Sequence, residues 1–201
     1  MSATNRGGVR REGDFYATPP WAVSAIVHRL VDRAGLVTAS PTIVDPFAGE
    51  GDLLQAARDT LTVCGPAALG VEPRFAGVEL DADRAATARA KGFDIEHDDA
   101  FTVAPAWGDC VVLTNPPYSR AEDSVRACLR LAGRGGIVVM LLRLAFLEGK
   151  ARAALHREHP SDVYVLAKRP SFTGKGTDAA AYAWFVWGSG HGYGGKWEVL
   201  A

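Results

Sequence analysis

The sequence predicts a three-layer, doubly wound α/β fold with a mostly parallel, seven-stranded sheet, and three observations carry that prediction. Seven short apolar runs occur along the 201 residues: "TIVDPF", "FAGVEL", "FDIEH", "CVVLTN", "GIVVMLL", "DVYVLA" and "YAWFVWG". Their cores alternate poorly between apolar and polar residues, as strands do when helices cover both faces of a sheet. Helix-period patterns fall between many of the runs, the order expected of parallel strands joined by crossover helices. No internal repeat or low-complexity linker interrupts the pattern. Residues 15–201 therefore read as a single domain. Residues 1–14, polar and rich in Arg and Gly, read as a flexible N-terminal segment.

The elements follow in order. "TPPWAVSAIVHRLVDRAG" reads as a helix with Thr18 as its cap and prolines tolerated in its first turn. Val23, Val27, Leu30, Val31 and Ala34 share one face, and Gly35 ends the helix. "SRAEDSVRACLRLAG" reads as another helix, with Ser119 and Glu122 fitting a capping box. Ala121, Val125, Cys128, Leu129 and Ala132 form its apolar stripe. The segment between Phe146 and Pro160 is a short helix, and "YAWFVWG" closes the sheet.

Composition narrows the class. Hydrophobic residues make up 48% and charged residues 22%, ordinary values for a globular protein. No apolar run is long enough for a membrane helix, and the N-terminus has no secretory apolar core. Cys64, Cys110 and Cys128 lack metal-ligand spacing and read as small core residues in a reducing, cytoplasmic setting, with no metal expected. The net charge of −1 hides an asymmetry. Residues 45–123 hold 15 acidic and 6 basic side chains, and residues 126–175 hold 10 basic and 3 acidic. The asymmetry is read either as two solvated faces or as an electropositive rim for a polyanion beside a less basic small-molecule pocket.

In doubly wound sheets ligands bind at the carboxyl ends of the strands, so the residues following each strand are the ones to inspect. After the first comes "DPFAGEGDLL", whose Gly49 and Gly51 allow a tight turn before a helix. No Gly-Lys-Ser/Thr follows, and Leu54 stands where a dinucleotide fingerprint has its third glycine. By itself the turn serves either packing or a ligand. The second strand ends in "GVELD", where Glu79 suits a ribose diol or simply faces solvent. The third leads to "HDDAF", with Asp98 or Asp99 able to accept from an exocyclic amine. Three successive strand ends thus suit an adenosine-bearing ligand, which is more telling than any one of them.

The fourth strand ends in "TNPPYS". Two prolines fix φ and remove N–H donors, so the loop offers oxygens without competing donors. The Asn115 amide oxygen and the Pro116 carbonyl can hold an –NH2 group by both protons. That would draw the nitrogen lone pair out of conjugation and aim it at an electrophile. Tyr118 supplies a flat face for a ring. The plain alternative is a strand-to-helix turn.

Taken in order, "YATPP", "DPFAGEG", "VELD", "DDAF" and "NPPY" resemble the class I S-adenosylmethionine-dependent methyltransferases that modify exocyclic amines, above all the DNA adenine-N6 methyltransferases. The resemblance runs from residue 14 to about 187 and implies a Rossmann-like methyltransferase catalytic domain. It implies that Tyr16, Thr18 and Pro19 close over the methionine part of S-adenosyl-L-methionine. Asp45, Phe47, Gly49 and Gly51 would form the loop beneath methionine and ribose. Glu79 would accept from the ribose diol and Asp99 from the cofactor's adenine. Asn115, Pro116, Pro117 and Tyr118 would form the catalytic loop, Phe172 would be a second ring against the target base, and Lys175 with its neighbouring glycines fits either a lid over substrate or a plain hairpin loop. S-adenosyl-L-homocysteine would be the product. Arg143, Lys168, Arg169 and Lys175 are candidates for contact with a nucleic-acid backbone, DNA before RNA.

The chain leaves no room for the sizeable target-recognition domain of sequence-specific relatives. Relaxed specificity, a partner subunit or another substrate is therefore expected, and the size and motif order suit an orphan enzyme of phage or mobile-element type. Small rRNA guanine-N2 methyltransferases have a related loop. Protein-glutamine methyltransferases share NPPY but carry a different glycine loop. A non-catalytic nucleic-acid-binding subunit is the rival from another class, and the intact loops argue against it.

Overall fold

The computed structural model describes residues 17–34, 42–64, 72–172, 178–188 and 193–200. Tyr16, Gly35, Lys175 and the segment 1–14 lie outside the described residues. Among the described residues, five α-helices, α1 (Pro20–Ala34), α2 (Asp52–Cys64), α3 (Ala82–Ala90), α4 (Ala121–Leu131) and α5 (Arg152–Glu158), accompany one sheet. Its strands are β1 (Thr42–Asp45), β2 (Arg74–Glu79), β3 (Asp94–His97), β4 (Val111–Thr114), β5 (Ile137–Arg143), β6 (Asp162–Leu166), β7 (Tyr182–Trp187) and β8 (Trp197–Leu200).

The spatial order is β3-β2-β1-β4-β5-β7-β6-β8. Pairings from β3 through to β5 are parallel, β7 is antiparallel to both β5 and β6, and β8 is parallel to β6. Alternate strand residues feed two cores. Ile43, Leu113, Val139 and Trp184 pack with α1, α2 and α3, whereas Val44, Val112, Val138 and Phe185 pack with α4 and α5. This is the expected three-layer arrangement. The chain passes from β1 outward to β3 and then returns to lay β4 on the other side of β1. The order therefore reverses between β1 and β4, the switch point where such sheets open a crevice.

Two expectations need correction. Among the described residues the sheet has eight strands rather than seven, because "YAWFVWG" forms the interior β7 and is not the last strand. The added β8 pairs outside β6, with Trp197 and Val199 exposed, so it lacks the buried apolar core by which the other strands announce themselves. The start of the helix expected from Ser119 is also shifted. The two prolines lead into a 3-10 turn over Tyr118–Arg120, closed by Arg120 N–H donating to the Pro117 carbonyl at 3.0 Å. That turn takes up Ser119, so α4 begins at Ala121 with Arg120 at its N-cap and no side-chain cap bond.

Candidate active site

The carboxyl ends of β1, β2 and β4 open onto a cavity of about 490 Å³, within the range of small-molecule sites. The 17 residues lining it include Thr18, Asp45, Phe47, Glu79, Asp99, Asn115 and Pro117, all singled out from the sequence. Pro19, Pro116 and Tyr118 are not among its lining residues, and neither are the two glycines, which shape the loop instead.

Gly49 and Gly51 adopt φ of 53° and 81°, backbone conformations that side chains disfavour. A Cβ on Gly51 would also lie 2.9 Å from the Phe93 ring, so the loop fits tightly against the α3–β3 corner. The turn aims Gly49 N–H at Glu79, whose Oε2 accepts it at 2.7 Å. Glu79 Oε1 accepts from Asp81 N–H at 2.9 Å. Glu79 is thus buried at the end of β2 with each oxygen positioned by a backbone donor and with lone pairs remaining for a ligand. Asp99 is similarly fixed, its Oδ1 accepting from Phe101 N–H at 2.9 Å.

Asp45 lies at the switch point. Its Oδ1 accepts from Thr114 Oγ1 across the β1–β4 boundary at 2.6 Å and from Phe47 N–H at 3.0 Å. Burial pushes its carboxyl up to about 7; the two hydrogen bonds oppose that rise and the nearby Glu79 carboxylate adds to it. Near neutral pH the group is therefore poised between its two charge states.

Beside the cavity, around β5 and β7, stands an aromatic group. Tyr118 meets Phe172 at 6.4 Å and 63°, and Tyr182 at 5.6 Å and 48°. The Arg143 guanidinium is 5.4 Å from the centre of the Tyr118 ring, and its Nε donates to the Tyr182 hydroxyl at 3.4 Å. Tyr182 in turn donates to Asp178 at 3.1 Å. Burial pushes the Tyr182 phenol up to about 12, so it stays protonated. Lys168 and Arg169 follow the same end of β6, with the Lys168 ammonium 5.5 Å from the Trp21 ring. Tyr118 and Phe172 are edge-on, not the parallel pair expected of two rings enclosing a base.

Sequence reasoning missed Thr114, Leu80, Phe101 and the Tyr182–Asp178 pair. Leu80 is 69% exposed although it lines the cavity, and Phe101 lines it too, so both offer apolar surface to a flat ring. A signal existed for Phe101, the last residue of "HDDAF", and for Leu80, which follows Glu79 directly. Thr114 gains Asp45, and Tyr182 gains Arg143, only through strand neighbours. Among the described residues no cluster of three or more His, Cys, Asp or Glu is arranged to hold a metal. Among the same residues no helix is long and apolar enough to cross a membrane.

No family model and no curated protein sequence matches the chain. Solved structures do. A Listeria monocytogenes protein described as a class I S-adenosylmethionine-dependent methyltransferase superposes with a TM-score of 0.70 at 16% identity, covering 94% of this chain and 67% of that one. The methyltransferase subunit of a type I restriction-modification system from Streptococcus thermophilus gives 0.66 at 16% identity, covering 90% and 46%. A Pyrococcus horikoshii protein described as an RNA methyltransferase gives 0.64 at 14% identity, covering 94% and 93%. The fold is therefore that of the class I S-adenosylmethionine-dependent methyltransferases. The chain spans about half the length of the restriction-system subunit.

Proposed function

We propose that the chain is an S-adenosylmethionine-dependent methyltransferase acting on the exocyclic N6 amine of adenine in DNA. The observation that carries this reading is the position of Asn115. It borders the acid-lined cavity and at the same time bonds to Tyr118 of the aromatic group, so it stands where a methyl donor and a planar acceptor would meet.

The cavity residues suit the cofactor. Among the residues lining the cavity, Glu79 would offer its remaining lone pairs to a ribose diol, Asp99 would accept from an adenine amine, and Leu80 and Phe101 would provide apolar surface for the purine. Asp45, once ionised, attracts a cationic amino acid end. When bound, S-adenosylmethionine supplies a methyl group on a sulfonium. The protein's own part is positioning. Asn115 Oδ1 and the Pro116 carbonyl accept both N–H bonds of the amine and stabilise the positive charge that grows on nitrogen during an in-line displacement. No base is required beforehand, since that proton becomes acidic only after transfer. A paired base cannot reach the loop, so the target is flipped out or single-stranded. Arg143, Lys168 and Arg169 lie at the same edge of the sheet, which favours a polyanion.

Methylation of RNA at guanine N2 or adenine N6 is the second reading. Its specific support is the fold match to the Pyrococcus protein described as an RNA methyltransferase. Incubation with labelled cofactor and pools of DNA, RNA or protein, followed by nucleoside mass spectrometry, separates the two. N6-methyladenine in DNA is expected; N2-methylguanine in RNA would move the assignment to the second reading, and labelled protein alone would end both.

A further inference from the structure

The acceptor assigned to the target amine already has a donor. The Tyr118 hydroxyl donates to Asn115 Oδ1 at 2.5 Å, a bond closed within the four-residue loop itself. The same ring is the surface on which the base is to stack, and the bond restricts how it can turn. It meets Phe172 at 63° and Tyr182 at 48°, while Phe172 and Tyr182 meet each other at 5.1 Å and 70°. A base held face to face between two rings needs those rings parallel, with centres about 7 Å apart, or two carbon contact distances. Tyr118 and Phe172 are 6.4 Å apart and far from parallel, so these two rings leave no parallel slot between them.

Seating a base therefore asks two things of one side chain. The ring must rotate to present its face, and Asn115 Oδ1 must give up the phenol for the amine. The second lone pair of Oδ1 does not remove the conflict, because the hydroxyl and the stacking face belong to the same rigid ring.

We propose that the Tyr118 hydroxyl is an internal competitor for the substrate: it holds Asn115 Oδ1 in the free protein and leaves when an amine-bearing base replaces it, donor for donor. This rests on the amine-methylation reading above. The competitor keeps the carbonyl end of the Asn115 side chain engaged before substrate arrives and sets a threshold that only a base supplying N–H donors recovers. Tyr118 is here a positioning residue acting through Asn115, in addition to its role as a stacking surface.

The test compares the unaltered protein with Tyr118→Phe, which keeps the ring and removes only the donor. Affinity is read by fluorescence anisotropy with a single-stranded DNA oligonucleotide containing one adenine, in saturating S-adenosylhomocysteine, so no methyl transfer is required. Removing one competing neutral hydrogen bond is expected to tighten binding about two- to tenfold. In turnover, KM for the oligonucleotide falls without a rise in kcat. Equal or weaker binding by the Phe variant overturns the proposal. So does a lower kcat at unchanged KM, because that gives the hydroxyl a role at the reacting amine. If neither protein binds the oligonucleotide, the competitor and the DNA reading fall together. If both bind with the expected difference but labelled cofactor yields no methylated amine, the catalytic reading alone falls.

Discussion

On the β1–β3 side of the switch point, polar side chains are held mainly by the backbone: Glu79 by Gly49 and Asp81 N–H, Asp99 by Phe101 N–H, and Asp45 by Phe47 N–H together with the Thr114 hydroxyl. On the β5–β7 side, side chains hold one another: Tyr118 bonds to Asn115, and Arg143 and Tyr182 bond in a chain that ends at Asp178. Backbone donors near rigid strands cannot rearrange without unfolding a loop, so the first region is shaped before any ligand arrives. Side-chain pairs exchange partners by rotation alone, so the second can rearrange when a ligand enters. The contrast matches the two tasks proposed for these regions, one ligand being always the same and the other being part of a polymer.

The contrast can be broken at its border. Asn115→Ala is expected to lower the methyl-transfer rate by about 10²- to 10³-fold, the loss typical of one donor or acceptor aimed at developing charge. Cofactor affinity should stay within about threefold by calorimetry. Collapse of cofactor binding instead would mean that Asn115 belongs wholly to the first region.

Charge gives the next largest effect. Replacing Arg143, Lys168 and Arg169 together with Ala should weaken DNA binding at low salt and reduce the slope of log affinity against log salt by roughly one for each lost phosphate contact. Cofactor affinity should not move. An unchanged slope would remove the β5–β7 side from the polymer path.

The smallest effect sharpens the first region. The Asp45 carboxyl is raised from 3.8 to about 7, so across that interval the folded chain holds a proton that the unfolded chain has released. Stability contributed by this group is full below 3.8 and is lost as pH rises to about 7, by a few kcal/mol at most. Thermal melting of Asp45→Asn should therefore exceed that of the unaltered protein at pH 8 and lose this advantage near pH 4. A cationic ligand favours the ionised carboxyl, so cofactor affinity should rise with pH through about 7 and become flat in the variant. A flat profile in both proteins would detach Asp45 from the ligand.

Much of this could be read from the chain. Strands β1, β4, β5 and β7 are buried along nearly their whole length, and such strands appear in sequence as unbroken apolar runs. β8 did not appear, since three of its four residues are not buried and it follows a glycine-rich stretch. The carboxylates at strand ends were legible because their positions follow from where each run stops. Thr114 was not, because its bond to Asp45 exists only once β4 lies beside β1, 69 residues away in sequence. Tyr182 gained its meaning the same way, from antiparallel pairing opposite Arg143. The edge-on rings and the early 3-10 turn depend on side-chain packing that no spacing rule reports.

Glu79 joins the loop after β1 to the loop before α3 through one carboxylate. Mechanically it is a tie between two spans that are otherwise separate, and its two amide partners should open to solvent together rather than one at a time. A ligand that draws on the same oxygens stiffens both loops at once. Information about an occupied cavity would then travel along the backbone to α3, on the side of the sheet remote from the aromatic cluster, without any hinge or moving domain.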